Sequence, residues 1–383
     1  MKLLPYPSLQ NAVPAFALVA VNVTTMGGPS VQLAAVLGVF LLCLPMLKLD
    51  LRLTWILMVA WIVLCLFLGF SKFGAHHAVI KAGKLALFCL ASGLSLRGVQ
   101  GDKGFPALIA LRAFLGLCAL NLFYGVVTGG KIFRAEHFIE FSIYSSYTIA
   151  LLVYLARPYL TLTDRFFAWT FSLLCGSTMG LFVLILADLV GRNLRPRFVL
   201  AGLAATPFGF LALNFLMKAR GKSFTVEYFE TSDRVRLITT FKDTTLQTFT
   251  FPDWMAGVGV GRPFHEFITP DAGFDGYLHR LGEDGIYSFC LHNEALRILS
   301  DFGLIGLFLI GLRLWVTCPR SVLILLGICM MTNSYLYSFS GALIASSLFN
   351  PSPKRKRAAE GAPQIAPETE TQRQTQERPF TYA

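Results

Sequence analysis

The chain has 383 residues, of which 55% are hydrophobic and 14% charged, and its mean hydropathy is +0.60. A soluble domain cannot place that many apolar residues in its core and on its surface, so composition excludes a soluble enzyme and describes a polytopic membrane protein. The net charge of +11 is concentrated in short basic loops, which reads as membrane topology and contact with anionic lipids and not as nucleic-acid binding.

The first residues offer one lysine, then Pro5 and Pro7, with no small-residue cleavage site, which predicts a first span and not a removed signal peptide. Apolar segments follow at about 8–26, 30–47, 53–70, 78–96, 105–127, 140–156, 162–191, 197–217, 302–317 and 320–349. Two of these are ambiguous. Residues 162–191 make one overlong helix or two short ones broken at Cys175-Gly176-Ser177-Thr178, and 320–349 poses the same choice around Ser334 to Gly341. The basic residues decide. Lys48, Arg52, Arg97, Lys103, Arg157, Arg165, Arg192, Arg195, Arg197, Arg320 and the run Lys354 to Arg357 all fall on the cytoplasmic side only when both segments are hairpins.

The expected fold class is therefore all-α and polytopic, with about twelve transmembrane helices, some of them short or kinked. Both termini lie in the cytoplasm and one large, mostly helical loop lies outside. The division is an N-terminal transmembrane bundle over 1–217, the loop over 218–301, C-terminal transmembrane helices over 302–349 and a cytoplasmic tail over 350–383. The tail is rich in Pro, Glu, Gln, Thr and Arg and predicts disorder. Of the eight cysteines only Cys290 belongs to the loop, so the loop holds no internal disulfide and the others read as small core residues.

The loop has the length and polarity to form a site. Ser232 and Asp233 are N-caps for a helix over "RVRLITTFKDTTLQTF". On a helix Arg234 and Arg236 point about 200° apart, so one of them can face a shared site, whereas on a strand both share a face; both are otherwise solvated charges. The run "GVGVGRP", Gly257 to Pro263, has no strand before it and no helix after it to make a dinucleotide turn. Gly257 and Gly259 then form a tight turn or an anion-binding nest. His265, His279 and His292 are irregularly spaced, which argues against a metal.

On a helix from about 290, His292 shares a face with Ala295, Leu296 and Leu299, while Asn293, Arg297, Ser300 and Asp301 lie on another. That points the imidazole to the apolar side at membrane-surface depth, as a packed core histidine or as a functional one. Gly303 and Gly306 leave a bare stripe against which a neighbouring helix packs.

The stretch "HNEALRILSDFGLIG" reads as His-Asn, nine residues, Gly, two residues, Gly. It resembles the signature that closes the major periplasmic loop in the bacterial O-antigen ligase and O-antigen polymerase superfamily, and the upstream order of "SDRVRL" followed by "GVGVG" is similar too. The resemblance covers about 230–310 and implies an integral-membrane glycosyltransferase in the inner membrane that is inverting and works without metal or other cofactor. Its donor would be an undecaprenyl-diphosphate-linked glycan and its acceptor a hydroxyl on a lipid or glycan, with membrane lipids and polysaccharide assembly or export proteins as partners. Carried over, His292 is the base and Arg234 a diphosphate contact, with Arg236, Asn293, Gly257 and Gly259 around the substrate. Relatives carry a Ser-Arg pair where this chain has Cys175-Gly176-Ser177-Thr178, so a second diphosphate contact falls to Arg134, Lys81 or Lys84, which otherwise snorkel. A glycan flippase or transporter, or a non-catalytic subunit of an export complex, is the alternative, and neither needs an arginine and a histidine at the membrane surface.

Overall fold

The computed structural model describes residues 9–24, 28–43, 45, 47–49, 51–73, 77–96, 103–128, 142–175, 177–189, 218, 239, 247–262, 293–318, 320–332 and 335–348. Among these residues the chain forms helices α1 (Leu9–Val23), α2 (Gly28–Cys43), α3 (Leu53–Phe73), α4 (His77–Ala91), α5 (Gly104–Val127), α6 (Ser142–Ala156), α7 (Leu162–Leu174), α8 (Thr178–Leu189), α9 (Phe251–Ala256), α10 (Glu294–Thr317), α11 (Arg320–Thr332) and α12 (Phe339–Leu348). Three of them, α3, α5 and α10, are long and apolar enough to cross a membrane. The expected span at 197–217, most of the large loop and the tail lie outside the described residues.

Helix α3 shows why composition is so apolar. Met58, Ile62, Cys65 and Gly69 form a single buried stripe, while Leu57, Leu64, Phe67 and Leu68 on the remaining surface are exposed. A helix in water would be polar on that face; an apolar one suits hydrocarbon. Six of the seven described cysteines are buried, as small core residues should be.

Both ambiguous segments are two helices. Arg165 Nη1 lies 3.1 Å from Asp188 Oδ1, which joins the start of α7 to the end of α8 and makes the pair antiparallel. The start of α7 is fixed by Thr161, whose hydroxyl accepts from the Asp164 N–H at 3.2 Å. Arg112 on α5 then grips Asp164 with two bonds of 2.8 and 3.0 Å. The second segment splits into α11 and α12 around a 3₁₀ turn, Tyr335–Tyr337, which is buried.

Contacts between helix ends give alternating directions. Trp55 at the start of α3 donates to the Cys89 carbonyl at the end of α4, at 2.9 Å. Asn22 at the end of α1 donates to Ser340 Oγ at the start of α12, at 3.0 Å. Near the far end of α10, Arg313 donates to the Ser92 carbonyl just past α4, at 2.6 Å. The fold of the described residues is helical, as expected, with one small addition at that same end. Strands β1 (Leu47–Leu49) and β2 (Leu94–Leu96) pair antiparallel, with Lys48 opposite Ser95. The two connectors leave helices side by side, and pairing satisfies backbone groups that no helix accommodates.

Candidate functional site

The head of α10 gathers most of the buried charge near the expected site. Asn293 is extended, at φ −131° and ψ 117°, and its side chain accepts the Leu296 N–H at 3.1 Å. It is therefore the N-cap, and the helix begins at Glu294. This corrects the helix expected from about 290: Asn293 is extended and the helical run starts one residue later. The Asn293 amide also reaches the Met331 carbonyl on α11, at 3.4 Å.

Glu294, Arg297 and Asp301 follow at helical spacing on one face. All three are buried, where single charges would be costly. Arg297 answers that cost twice. Its guanidinium lies 3.4 Å from the centroid of the Tyr337 ring, and its Nε is 4.0 Å from Asp301 Oδ2. The Tyr337 hydroxyl donates to the same Asp301 oxygen at 3.2 Å. Glu294 turns its carboxylate toward the backbone N–H groups of Leu336, Tyr337 and Tyr335 without closing a hydrogen bond. Beside this cluster the Tyr335 hydroxyl shares a 2.9 Å hydrogen bond with Thr148 on α6.

Above the cluster α10 kinks at Gly303, with φ 67° and ψ −171°. The interruption frees two carbonyls, and each finds a donor outside the helix. The Ser300 carbonyl accepts the Val258 N–H at 2.9 Å, and the Phe302 carbonyl accepts Trp61 Nε1 of α3 at 3.0 Å.

The "GVGVG" loop is the partner at the kink. Helix α9 is started by Thr250, whose N–H donates to Asp253 at 2.9 Å, and is ended by Gly257 at φ 84°. Gly259 and Gly261 also have positive φ, 103° and 86°, which only glycine adopts freely. A Cβ on Gly257 would come within 2.6 Å of the Ser300 carbonyl oxygen, and one on Gly303 would strike the Met255 carbonyl. The two glycines thus let two backbones touch. Gly259 lies against Phe73 of α3, Gly261 against Val79 of α4, and Gly69 of α3 against Val260. The loop is a wedge that holds α3, α4 and α10 together. Two of its N–H groups, on Gly257 and Val258, are bonded to Asp253 and Ser300, so at these two the nest gives way to a packing turn. The expected bare stripe is also half right: Gly306 faces Trp61 of α3, but Gly303 receives the end of α9.

Of the residues expected at the site, Asn293 caps α10 and Gly257 packs about two turns further along it, against Ser300 to Phe302, while Gly259 lies against Phe73 of α3. Lys84 is half-buried on α4. Ser177, in the turn between α7 and α8 where an arginine was sought, caps α8 by accepting the Gly180 N–H at 3.0 Å. His292, Arg234, Arg236, Arg134 and the proposed caps Ser232 and Asp233 lie outside the described residues, as does the side chain of Lys81. Among the described residues no three His, Cys, Asp or Glu side chains converge as a metal site. Sequence reasoning missed Glu294 and Tyr337 and placed Arg297 and Asp301 on a polar face away from the apolar side. The available signal was ionisable residues at helical spacing directly before an apolar run, which marks an interior function by default. Set beside known protein families and characterised proteins, the sequence matches none.

Proposed function

We propose that the chain is an integral-membrane glycosyltransferase of surface-polysaccharide assembly, working at the outer face of the bacterial inner membrane. It transfers a glycan from undecaprenyl diphosphate to a hydroxyl of a lipid or glycan acceptor, as ligase or polymerase, with inversion and without metal. One placement carries this reading: Asn293 caps a helix long and apolar enough to cross a membrane, so His292, bonded to it, stands one peptide unit from the mouth of that helix. A lipid-linked diphosphate lies at headgroup depth, and the acceptor hydroxyl meets its anomeric carbon there.

In this reaction the imidazole of His292 takes the hydroxyl proton, the acceptor oxygen bonds to the anomeric carbon, and the bond to the diphosphate oxygen breaks. Undecaprenyl diphosphate leaves with the electron pair. Arg234 steadies the departing charge, because its planar fork matches two phosphate oxygens. The test is purified protein in lipid discs supplied with lipid-linked oligosaccharide and acceptor. Wild type consumes the donor, and His292→Ala, accumulating normally, turns over about 10²- to 10⁴-fold more slowly. Full activity of His292→Ala overturns the assignment of the base.

The buried charges on α10 favour a second reading, a glycan flippase or transporter, since charges inside a bundle mark transport paths. In vesicles a transporter moves lipid-linked glycan across the bilayer with its length unchanged, whereas a transferase yields a longer or relocated glycan.

A further inference from the structure

We propose that Asp301, acting through Arg297 and Tyr337, is a positioning residue for the transfer reaction; this rests on the glycosyltransferase reading above. Three polar contacts join the head of α10 to the α11–turn–α12 unit: Asn293 to the Met331 carbonyl at 3.4 Å, the Arg297 guanidinium 3.4 Å over the Tyr337 ring, and the Tyr337 hydroxyl on Asp301 at 3.2 Å. On the opposite side the same helix is held by backbone, through Gly257 against Ser300 to Phe302 and Gly303 against Met255 and Ala256.

These two kinds of contact do different work. Apolar side chains in a membrane interior gain little from one register over another, because lipid tails solvate them equally well. A buried charge permits one arrangement, since any slip strands it without a partner. Asp301 is the hub of the polar side: it faces the guanidinium edge at 4.0 Å and accepts the tyrosine hydroxyl from a segment 36 residues away in sequence. It therefore sets the register between the turn and the helix head that carries Asn293 and the peptide bond to His292. Asp301 lies two turns below Asn293 on the same helix and acts through Arg297 and Tyr337, so its effect is on geometry.

The test uses the full-length protein purified into lipid discs, with undecaprenyl-diphosphate-linked oligosaccharide and acceptor, reading kcat, donor KM and the thermal midpoint. Asp301→Asn preserves shape and removes charge. It should lower kcat at least about tenfold and leave KM within roughly threefold of wild type, the pattern of an interaction felt in the transition state and not in donor binding. Asp301→Glu, which restores the charge, should recover part of kcat. Tyr337→Phe keeps the ring over Arg297, deletes one hydroxyl and should lower kcat by about threefold to tenfold. A wild-type kcat in Asp301→Asn with only a lowered thermal midpoint overturns the proposal, as does a rise in KM alone. Should Asp301→Asn fail to accumulate, an unaltered kcat in Tyr337→Phe overturns it. A wild-type protein that turns over no donor overturns the transferase reading and this proposal together, whereas an active wild type with an indifferent Asp301 overturns this proposal alone.

Discussion

Lys103 stands immediately before α5, with its ammonium nitrogen buried and no hydrogen-bond partner among the described residues. Burial brings its pKa from the usual lysine value of 10.5 down to about 8, with Cys318 pulling weakly the other way. The unfolded chain therefore binds more protons than the folded one between about pH 8 and 10.5, and stability rises with pH across that window. Below it both states are protonated and the desolvation penalty is complete. Thermal midpoints of wild type and Lys103→Met should accordingly differ most at pH 7, with the variant higher, and draw together as pH rises toward 10. Parallel curves would show that the ammonium is hydrated in the fold. At this scale the sequence did not reveal Asn293 as the cap of α10, because an asparagine three residues before Leu296 fits the polar face of a longer helix as well as it fits a cap. Nor was it legible for Arg297 and Asp301. Their helical face is polar in either case, and nothing in a single helix distinguishes a face turned to water from one turned to the buried ring of Tyr337.

Helix α10 is the element on which the site depends, and its kink is made by Gly303 together with the end of α9. Hydropathy alone starts the span near 302, because Arg297, Ser300 and Asp301 lower the average before it; the helix instead runs from Glu294 and bends where the apolar run begins. Gly303→Ala meets two obstacles, a φ of 67° that a Cβ disfavours and the Met255 carbonyl in its way. It should cost about 1 to 3 kcal/mol for the conformation alone, more with the collision, and lower the thermal midpoint accordingly. Gly311→Ala on the same helix, where a Cβ would meet nothing within 4 Å, should be neutral or slightly stabilising. Equal midpoints for the two variants would mean that the bend is not held by the α9 contact. The hairpins at 162–191 and 320–349 were readable because charge sidedness constrains the count of helices, a signal that needs no packing information. The ladder of β1 and β2 was not, since three residues in each strand leave no period to detect.

At the scale of the whole molecule, alternating helix directions sort the connectors into two sets. One end collects the strands β1 and β2, the start of α5 with Lys103, the start of α7 with Arg165 and the end of α10 with Arg313 and Cys318. The opposite end collects the end of α3, the start of α4, the glycine loop, the head of α10 and the buried turn of Tyr335–Tyr337. The basic connectors Lys48, Arg52, Arg157 and Arg320 flank the helices at the first end, and in the orientation we propose from the positive-inside bias that end is cytoplasmic and the glycine loop and the head of α10 are outside. The proposed reaction, with its lipid-linked donor presented at the outer leaflet, needs this orientation, because the proposed base has to stand on the side where the glycan is. Single cysteines at Ser223 and Ser352, in a Cys290→Ala background that removes the loop's own thiol, report the sidedness directly. In intact spheroplasts an impermeant maleimide should label Ser223→Cys and leave Ser352→Cys unlabelled until the membrane is permeabilised. Labelling of Ser352→Cys in intact spheroplasts would invert the molecule, put the head of α10 in the cytoplasm and remove the donor from its reach.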